Sequence, residues 1–388
     1  MRGPTLAAVV CASFFFSAGA AEAAEPQLLQ VQLQSTLLSR FLKQPVGFNA
    51  SVLLPDDYYK ATTRRYPVVY VFPGFDGPST IDESTELQWQ RPMRALGAQF
   101  IVVILDGMIE VDGEDLHQQF ADSANDGPWG TALVQEFIPA TNAHFRTLGT
   151  SQTTFLFGHS SGGWSALWLQ VNYPDAFNGV WAVAPDPVDF HAFLGPDLTN
   201  PAQNFYRDGL GNMYTICRRY GHDMTTLRAL VSGSLVCYAV LPPPGRKPWG
   251  VRQIDTYDEV FSPRRLDGTP APLFDRTTGV IDSAVADYWE EHYDITRVLE
   301  KRWSVLAPKL RGKLHVFVGA EDTFHLEGSV KLMKAALTRL DSDAEFGIMP
   351  GADHWQIFDY HGGLIRYAIG EMTLRLAADP SLSRYVTK

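Results

Sequence analysis

The chain has 388 residues, 45% of them hydrophobic and 19% charged, with a formal net charge of -11 at pH 7. That length suits one large α/β domain or two small ones, and the composition is that of a globular protein without low-complexity tracts. Nucleic-acid binding is excluded, because phosphate contact needs a basic face. The sequence holds no internal repeat, P-loop or GxGxxG fingerprint.

The N-terminus reads as a leader. Arg2 supplies a positive start, Leu6 to Phe16 is an apolar run, and A-x-A patterns follow at Ala18–Ala20 and Ala21–Ala23. The run is too short to span a bilayer, so residues 1–24 are expected to form a secretory signal peptide. "AVVC" before Cys11 is not a lipobox. The mature chain, 25–388, is therefore expected to be secreted or periplasmic, with no membrane anchor.

Near-continuous apolar runs follow: "YPVVYVF" from Tyr66, "FIVVIL" from Phe100, "TTFLFG" from Thr153, "NGVWAVA" from Asn178 and "LHVFVG" from Leu314. Unbroken apolarity is what a parallel sheet covered on both faces requires. The more mixed "FNASVLLP" from Phe48 is expected nearer an edge. Helical stripes are formed by Val330, Met333, Leu337 and Leu340, and by Ile365, Ile369, Met372 and Leu376. Strands alternating with helices predict βαβ units in an α/β fold. Residues 191–300 break this rhythm with "PPPG" at Pro242, few periodic segments and both mature cysteines. The stretch is expected to be an irregular cap or lid insertion.

Gly158-His159-Ser160-Ser161-Gly162 matches G-x-S-x-G directly after an apolar strand and before a helix, the setting in which the motif presents a nucleophile. Ser160 is the expected nucleophile, and the Ser161 backbone N–H one oxyanion donor. "FPGFDG" ends an earlier strand and offers Gly74 or Phe75 as the second donor. The base is expected at His354, in the Pro/Gly loop "PGADHW" after the last apparent strand; His361 leads into a helix and reads as a cap or packing residue. For the acid, Asp322 in "GAEDTF" follows the preceding strand, the usual station in a Ser…Asp…His order. Glu321, Asp186 and Asp189 are alternatives. Trp129, Trp355 and His325 lie in or beside these motif loops and are candidates for substrate binding, whereas Trp164 reads as packing. The histidines lack ligand spacing and no HExxH occurs, so neither metal nor organic cofactor is implied.

These motifs, with "DGPWGTALVQEFIPA" (Asp126 to Ala140) and "VGAEDTFHL", stand in the order seen in the esterase D-like group of α/β-hydrolases. That group includes S-formylglutathione hydrolases, enterochelin esterases, and feruloyl and acetylxylan esterases. The chain resembles it over roughly residues 30–375, and departs from it in having Pro73 where many relatives have His. The resemblance implies an α/β-hydrolase fold and ester hydrolysis through an acyl-enzyme. Export and the aromatic loops suit feruloyl or acetyl esters of plant polysaccharide. An acyltransferase of the mycolyltransferase kind, with the same triad, and a non-catalytic hydrolase-fold binding protein are the alternatives.

Cys217 and Cys237 are close in sequence, and an oxidising compartment favours a disulfide between them. Closing that loop would contribute ~3 kcal/mol in the chain-entropy model. Intact mass of the exported protein, with and without alkylation, should find both sulfurs unlabelled until reduction.

Overall fold

The computed structural model describes residues 28–385, apart from 76, 78–82, 112–113, 220–221 and 226–252. The leader, Cys11 and Cys237 lie outside the described residues. One eight-stranded sheet organises the chain: β1 (Leu28–Gln34), β2 (Gly47–Leu53), β3 (Val68–Phe72), β4 (Ile101–Leu105), β5 (Thr154–His159), β6 (Val180–Val183), β7 (Leu314–Gly319) and β8 (Glu345–Met349). Its order is β1-β2-β4-β3-β5-β6-β7-β8. Strand β2 runs antiparallel to both neighbours and every other pairing is parallel. This is the α/β-hydrolase arrangement.

The apolar runs become the central strands for the reason the sequence suggests. Every residue of β3, β4, β6 and β7 is buried, as strands covered on both faces must be. "FNASVLLP" supplies the second strand. The edge itself is β1, whose alternating "LQVQLQ" buries Val31 and Leu33 and leaves the glutamines between them to solvent.

The helices, in chain order, are α1 (Thr36–Leu42), α2 (Glu83–Leu96), α3 (Trp129–Ala132), α4 (Ile138–His144), α5 (Ser161–Asn172), α6 (Gln253–Phe261), α7 (Ser283–Tyr293), α8 (Ile295–Leu310), α9 (Glu327–Arg339) and α10 (Leu364–Ala378). One layer contains α5, α8 and α9; the other pairs α2 with α10. Val330, Met333 and Leu337 of α9, and Ile369, Met372 and Leu376 of α10, are buried as their stripes predict. Among the described residues, no helix is long and apolar enough to cross a membrane.

The stretch 191–300 is more regular than its sequence suggests. It holds α6, α7 and the start of α8, and all nine residues of α6 are buried. A helix buried all round loses the polar face that makes helical periodicity visible. Helix α6 packs against the elbow helix α5 through Phe261 and Trp164, whose ring centroids are 4.9 Å apart. A separate hairpin, Thr215–Arg219 paired with His222–Thr225, carries the buried Cys217.

Two features of this core make testable demands. A Cβ on Gly158 would lie 2.0 Å from the Gly162 carbonyl oxygen, and one on Gly162 would lie 2.0 Å from the Phe72 carbonyl oxygen. Real side-chain carbons do not approach backbone so closely, so only glycine lets β3, β5 and the start of α5 meet. Gly162→Ala should cost at least ~3 kcal/mol, read as a lowered Tm or loss of folded protein.

The second demand is electrostatic. Asp126 and Glu259 are buried, and among the described residues Oδ2 of the first and Oε2 of the second lack hydrogen-bond partners. Burial pushes Asp126 up to about 7; burial and the neighbouring Asp126 charge push Glu259 well above its ordinary value. The native state therefore binds more protons than the unfolded chain, and stability should fall as pH rises from the ordinary carboxylate range to about 7. Asp126→Asn should flatten that fall in a Tm-against-pH series.

Candidate active site

The site lies at the C-terminal ends of β3, β5, β6, β7 and β8. Ser160, between β5 and α5, has φ 58° and ψ -125°, a positive-φ conformation disfavoured for serine. The surrounding backbone over-determines it: Ser160 N–H donates to the Val183 carbonyl at 2.9 Å. The Ser160 carbonyl accepts from Trp164 and Asp186 N–H, each at 3.1 Å. The glycine contacts just described hold the turn shut from the β3 side.

Two loops are joined by backbone before their side chains meet. Ala320 N–H donates to the Met349 carbonyl at 2.8 Å, and Glu321 N–H to the Ala352 carbonyl at 3.0 Å. The loops after β7 and β8 thus run side by side, and His354 Nδ1 comes to 2.8 Å from Asp322 Oδ2. Both residues are buried. Asp322 Oδ1 accepts from the Phe324 and Leu326 amides at 2.8 and 3.4 Å, which fixes the carboxylate plane. A carboxylate can only accept from neutral His354, so Nδ1 carries the proton and Nε2 is left as a base. Among the described residues no hydrogen bond joins Ser160 Oγ to His354, a contact that is often long before substrate binds.

The glycine loop after β3 passes directly beside the serine. A Cβ on Gly74 would stand 3.2 Å from Ser160 Cβ and 3.8 Å from its Oγ. Gly77 N–H closes the loop onto the Gly74 carbonyl at 3.0 Å. Phe75 turns its ring toward His117, with centroids 5.1 Å apart.

The alternative acids have other partners. Glu321 is exposed. Asp186, buried, accepts from the Ser161 hydroxyl at 2.6 Å and from Gln253 Nε2 at 3.1 Å. Burial raises its carboxyl above the ordinary value, with the Ser161 hydrogen bond opposing. Asp189 Oδ1 lies 2.9 Å from His191 Nδ1. With Asp294 these two form the one cluster of ligand-type side chains whose atoms come within 4.8 Å of one another among the described residues. The Asp294 oxygens are already engaged by the Phe190 and Arg297 amides at 2.6 and 2.8 Å. The trio reads as a structural knot.

The substrate-binding expectations fare unevenly. Trp129 lies in the core, with no surface to offer a ligand: it is 0% exposed, edge-on to Phe48 at 5.3 Å, and its Nε1 donates to the Asp126 carbonyl. Its position beside a motif reflects packing of that motif's helix. His325 is half-buried, its Nε2 3.0 Å from Thr215 Oγ1 of the hairpin. Trp355 is 56% exposed and stands edge-on to His354, with ring centroids 5.1 Å apart. Trp164 stacks on Trp168 in the core, as expected. His361 stacks on Tyr367.

Arg218 and Gln253 escaped sequence reasoning, and His159, which the sequence suggests only as packing behind the elbow, does more than pack. His159, in the variable position of the elbow, brings Nε2 to 3.0 Å from the His354 carbonyl, and its ring lies 4.5 Å from the His354 ring. Burial, with the His354 charge adding, holds it down to about 3, so it is neutral and donates through Nε2. Arg218 of the hairpin donates to the Asp322 carbonyl and to Glu327 Oε1, each at 2.9 Å, while its amide donates to the Thr323 carbonyl. Gln253 joins α6 to the Ser161–Asp186 pair. The G-x-S-x-G motif flags His159, which adjoins Ser160; nothing local flags the other two.

Comparison with known proteins agrees with this geometry. A family model described as "Putative esterase" matches residues 42–268. Over 136 residues the chain is 31% identical to an esterase of Mycobacterium tuberculosis, a match covering 34% of this chain and only 28% of that relative's length. Among solved structures, a ferulic acid esterase superposes with a TM-score of 0.55 at 14% identity, covering 89% of this chain and 97% of that one. An S-formylglutathione hydrolase from Agrobacterium tumefaciens gives 0.51 at 15% identity, covering 92% and 98%. At these identities the structural likeness establishes the fold. The family match, spanning more than half of the chain and containing the elbow, establishes that the protein belongs to the "Putative esterase" family.

Proposed function

We propose that the protein is a serine carboxylic-ester hydrolase in which Ser160, His354 and Asp322 form the catalytic triad. The observation that supports this most directly is the 2.8 Å contact between His354 and Asp322, at the mouth of an elbow whose serine is held at positive φ. In the proposed reaction Ser160 Oγ attacks the ester carbonyl carbon while His354 Nε2 takes its proton. The Ser161 amide, with that of Gly74 or Phe75, stabilises the oxyanion. Collapse breaks the bond to the alcohol, which leaves with the proton from His354. Water then repeats the cycle on the acyl-enzyme and releases the acid.

Asp322 holds the imidazole in the tautomer that the reaction needs and stabilises the imidazolium. Asp186 acts elsewhere, steadying Ser161 and with it one oxyanion donor. Feruloyl or acetyl esters of plant polysaccharide remain the natural substrate class we favour. The favouring features are the leader-like N-terminus, the exposed Trp355 beside His354, and membership of an esterase family. Export and the Cys217–Cys237 bridge belong to the same proposal.

Hydrolysis of 4-nitrophenyl acetate, with circular dichroism as the folding control, tests the roles. Ser160→Ala should lower turnover by several orders of magnitude, up to ~10⁶. Asp322→Asn should cost ~10⁴, because an amide enforces the wrong tautomer. Asp186→Asn should be much milder. A crippling Asp186→Asn beside a tolerated Asp322→Asn would move the acid to β6. A panel of feruloyl, acetyl-xylose and simple acyl esters then ranks the substrates.

A further inference from the structure

A groove of 790 Å³ runs between α2 and the segment that follows His354. Trp355, Phe358, Leu364 and Pro92 give it an apolar lining, and Arg91 and Arg366 add two guanidinium groups. The volume lies in the range of small-molecule sites, which combine apolar walls with a few placed polar groups. Its apolar wall is continuous with the catalytic histidine: Trp355 stands against the His354 ring, and Phe358 lies 5.0 Å from the His159 ring.

The charge of the groove runs against that of the whole chain. Net charge is -11, yet among the described residues the groove is lined by two arginines and by no carboxylate. Both arginines are exposed, and neither joins an ion pair among the described residues. By contrast, Arg218 and Arg276 are each paired with a buried carboxylate, and Arg146 and Arg375 are tied to backbone carbonyls. Two without partners, on the rim of an apolar groove, present ten N–H donors suited to a carboxylate or phosphate.

We infer that this groove binds the distal part of the ester substrate, and that this part is amphiphilic and anionic. Its apolar stretch lies along Trp355, Phe358 and Leu364, and its carboxylate or phosphate meets Arg91 and Arg366. This rests on the esterase reading proposed above but not on its plant-polysaccharide substrate, since acetyl and feruloyl groups carry no such anion. It adds a selectivity that the triad does not supply, since the triad sees only the carbonyl and its two flanking atoms.

The anionic group could sit on either side of the scissile bond, so the experiment has two arms. On the acyl side, kcat/KM is measured for 4-nitrophenyl hydrogen esters of dicarboxylic acids from succinate to sebacate, each against its neutral methyl ester. On the alcohol side, 4-acetoxybenzoate is measured against methyl 4-acetoxybenzoate. In at least one arm the anionic partner should be favoured ~10-fold or more, and the preference should shrink as salt screens it. In the Arg91→Gln/Arg366→Gln double variant the ratio should fall toward one. Both positions are exposed, so folding is not at stake, and circular dichroism checks it. The inference is overturned if neither arm shows a preference at any chain length, or if the preference survives in the double variant. Failure of the esterase reading is distinct: there the neutral esters are not hydrolysed either.

Discussion

Two missing Cβ atoms set the geometry of the whole site. Where β5 turns into α5, the Gly162 α-carbon sits against the end of β3, and Gly158 sits against Gly162, at separations no side chain would tolerate. That approach forces the intervening serine into positive φ and aims its side chain away from the sheet. It also fixes where α5 starts, and so the direction of the Ser161 amide. The cost of the strained serine is met by backbone bonds to β6 and by burial of nearly all of α5.

Around that turn three buried side chains, those of Ser161, Asp186 and Gln253, pair with one another. Ser161 donates to Asp186, Gln253 donates to both, and Asp186 in turn bonds the Ser160 carbonyl through its own amide. On the other flank the His159 ring donates to the carbonyl of His354, so the residue next to Ser160 is tied to His354 even without a direct bond between the Ser160 and His354 side chains. A buried network that is fully paired rigidifies what it holds, and here it holds the two elements whose relative position decides reactivity.

Much of this was legible in the sequence, and the parts that were not share a cause. The parallel strands could be read because burial on both faces leaves unbroken apolar runs, as in Val68–Phe72 and Leu314–Gly319. Asp322 and His354 could be placed because each follows such a strand in a short loop. Helix α6 was hidden: "QIDTYDEVF" looks polar, and only tertiary structure shows Asp258 bonding Arg276 and the Leu273 amide inside the core. Trp129 misled for the opposite reason, since proximity in sequence to a motif says nothing about which way a ring points. Arg218 and Gln253 act across about a hundred residues, a separation over which one sequence carries no signal of contact.

The grip of the hairpin on the acid loop changes what kind of object the 191–300 stretch is. Arg218 bonds Oε1 of the buried Glu327 and the Asp322 carbonyl, and Gln253 bonds the Ser161–Asp186 pair. Excising the stretch would strip partners from both ends of the reaction centre at once, leaving a carboxylate and a carbonyl stranded in an apolar setting. The segment is thus a buttress of the centre as much as a covering for it, and trimming it would require rebuilding the centre as well as shortening the chain.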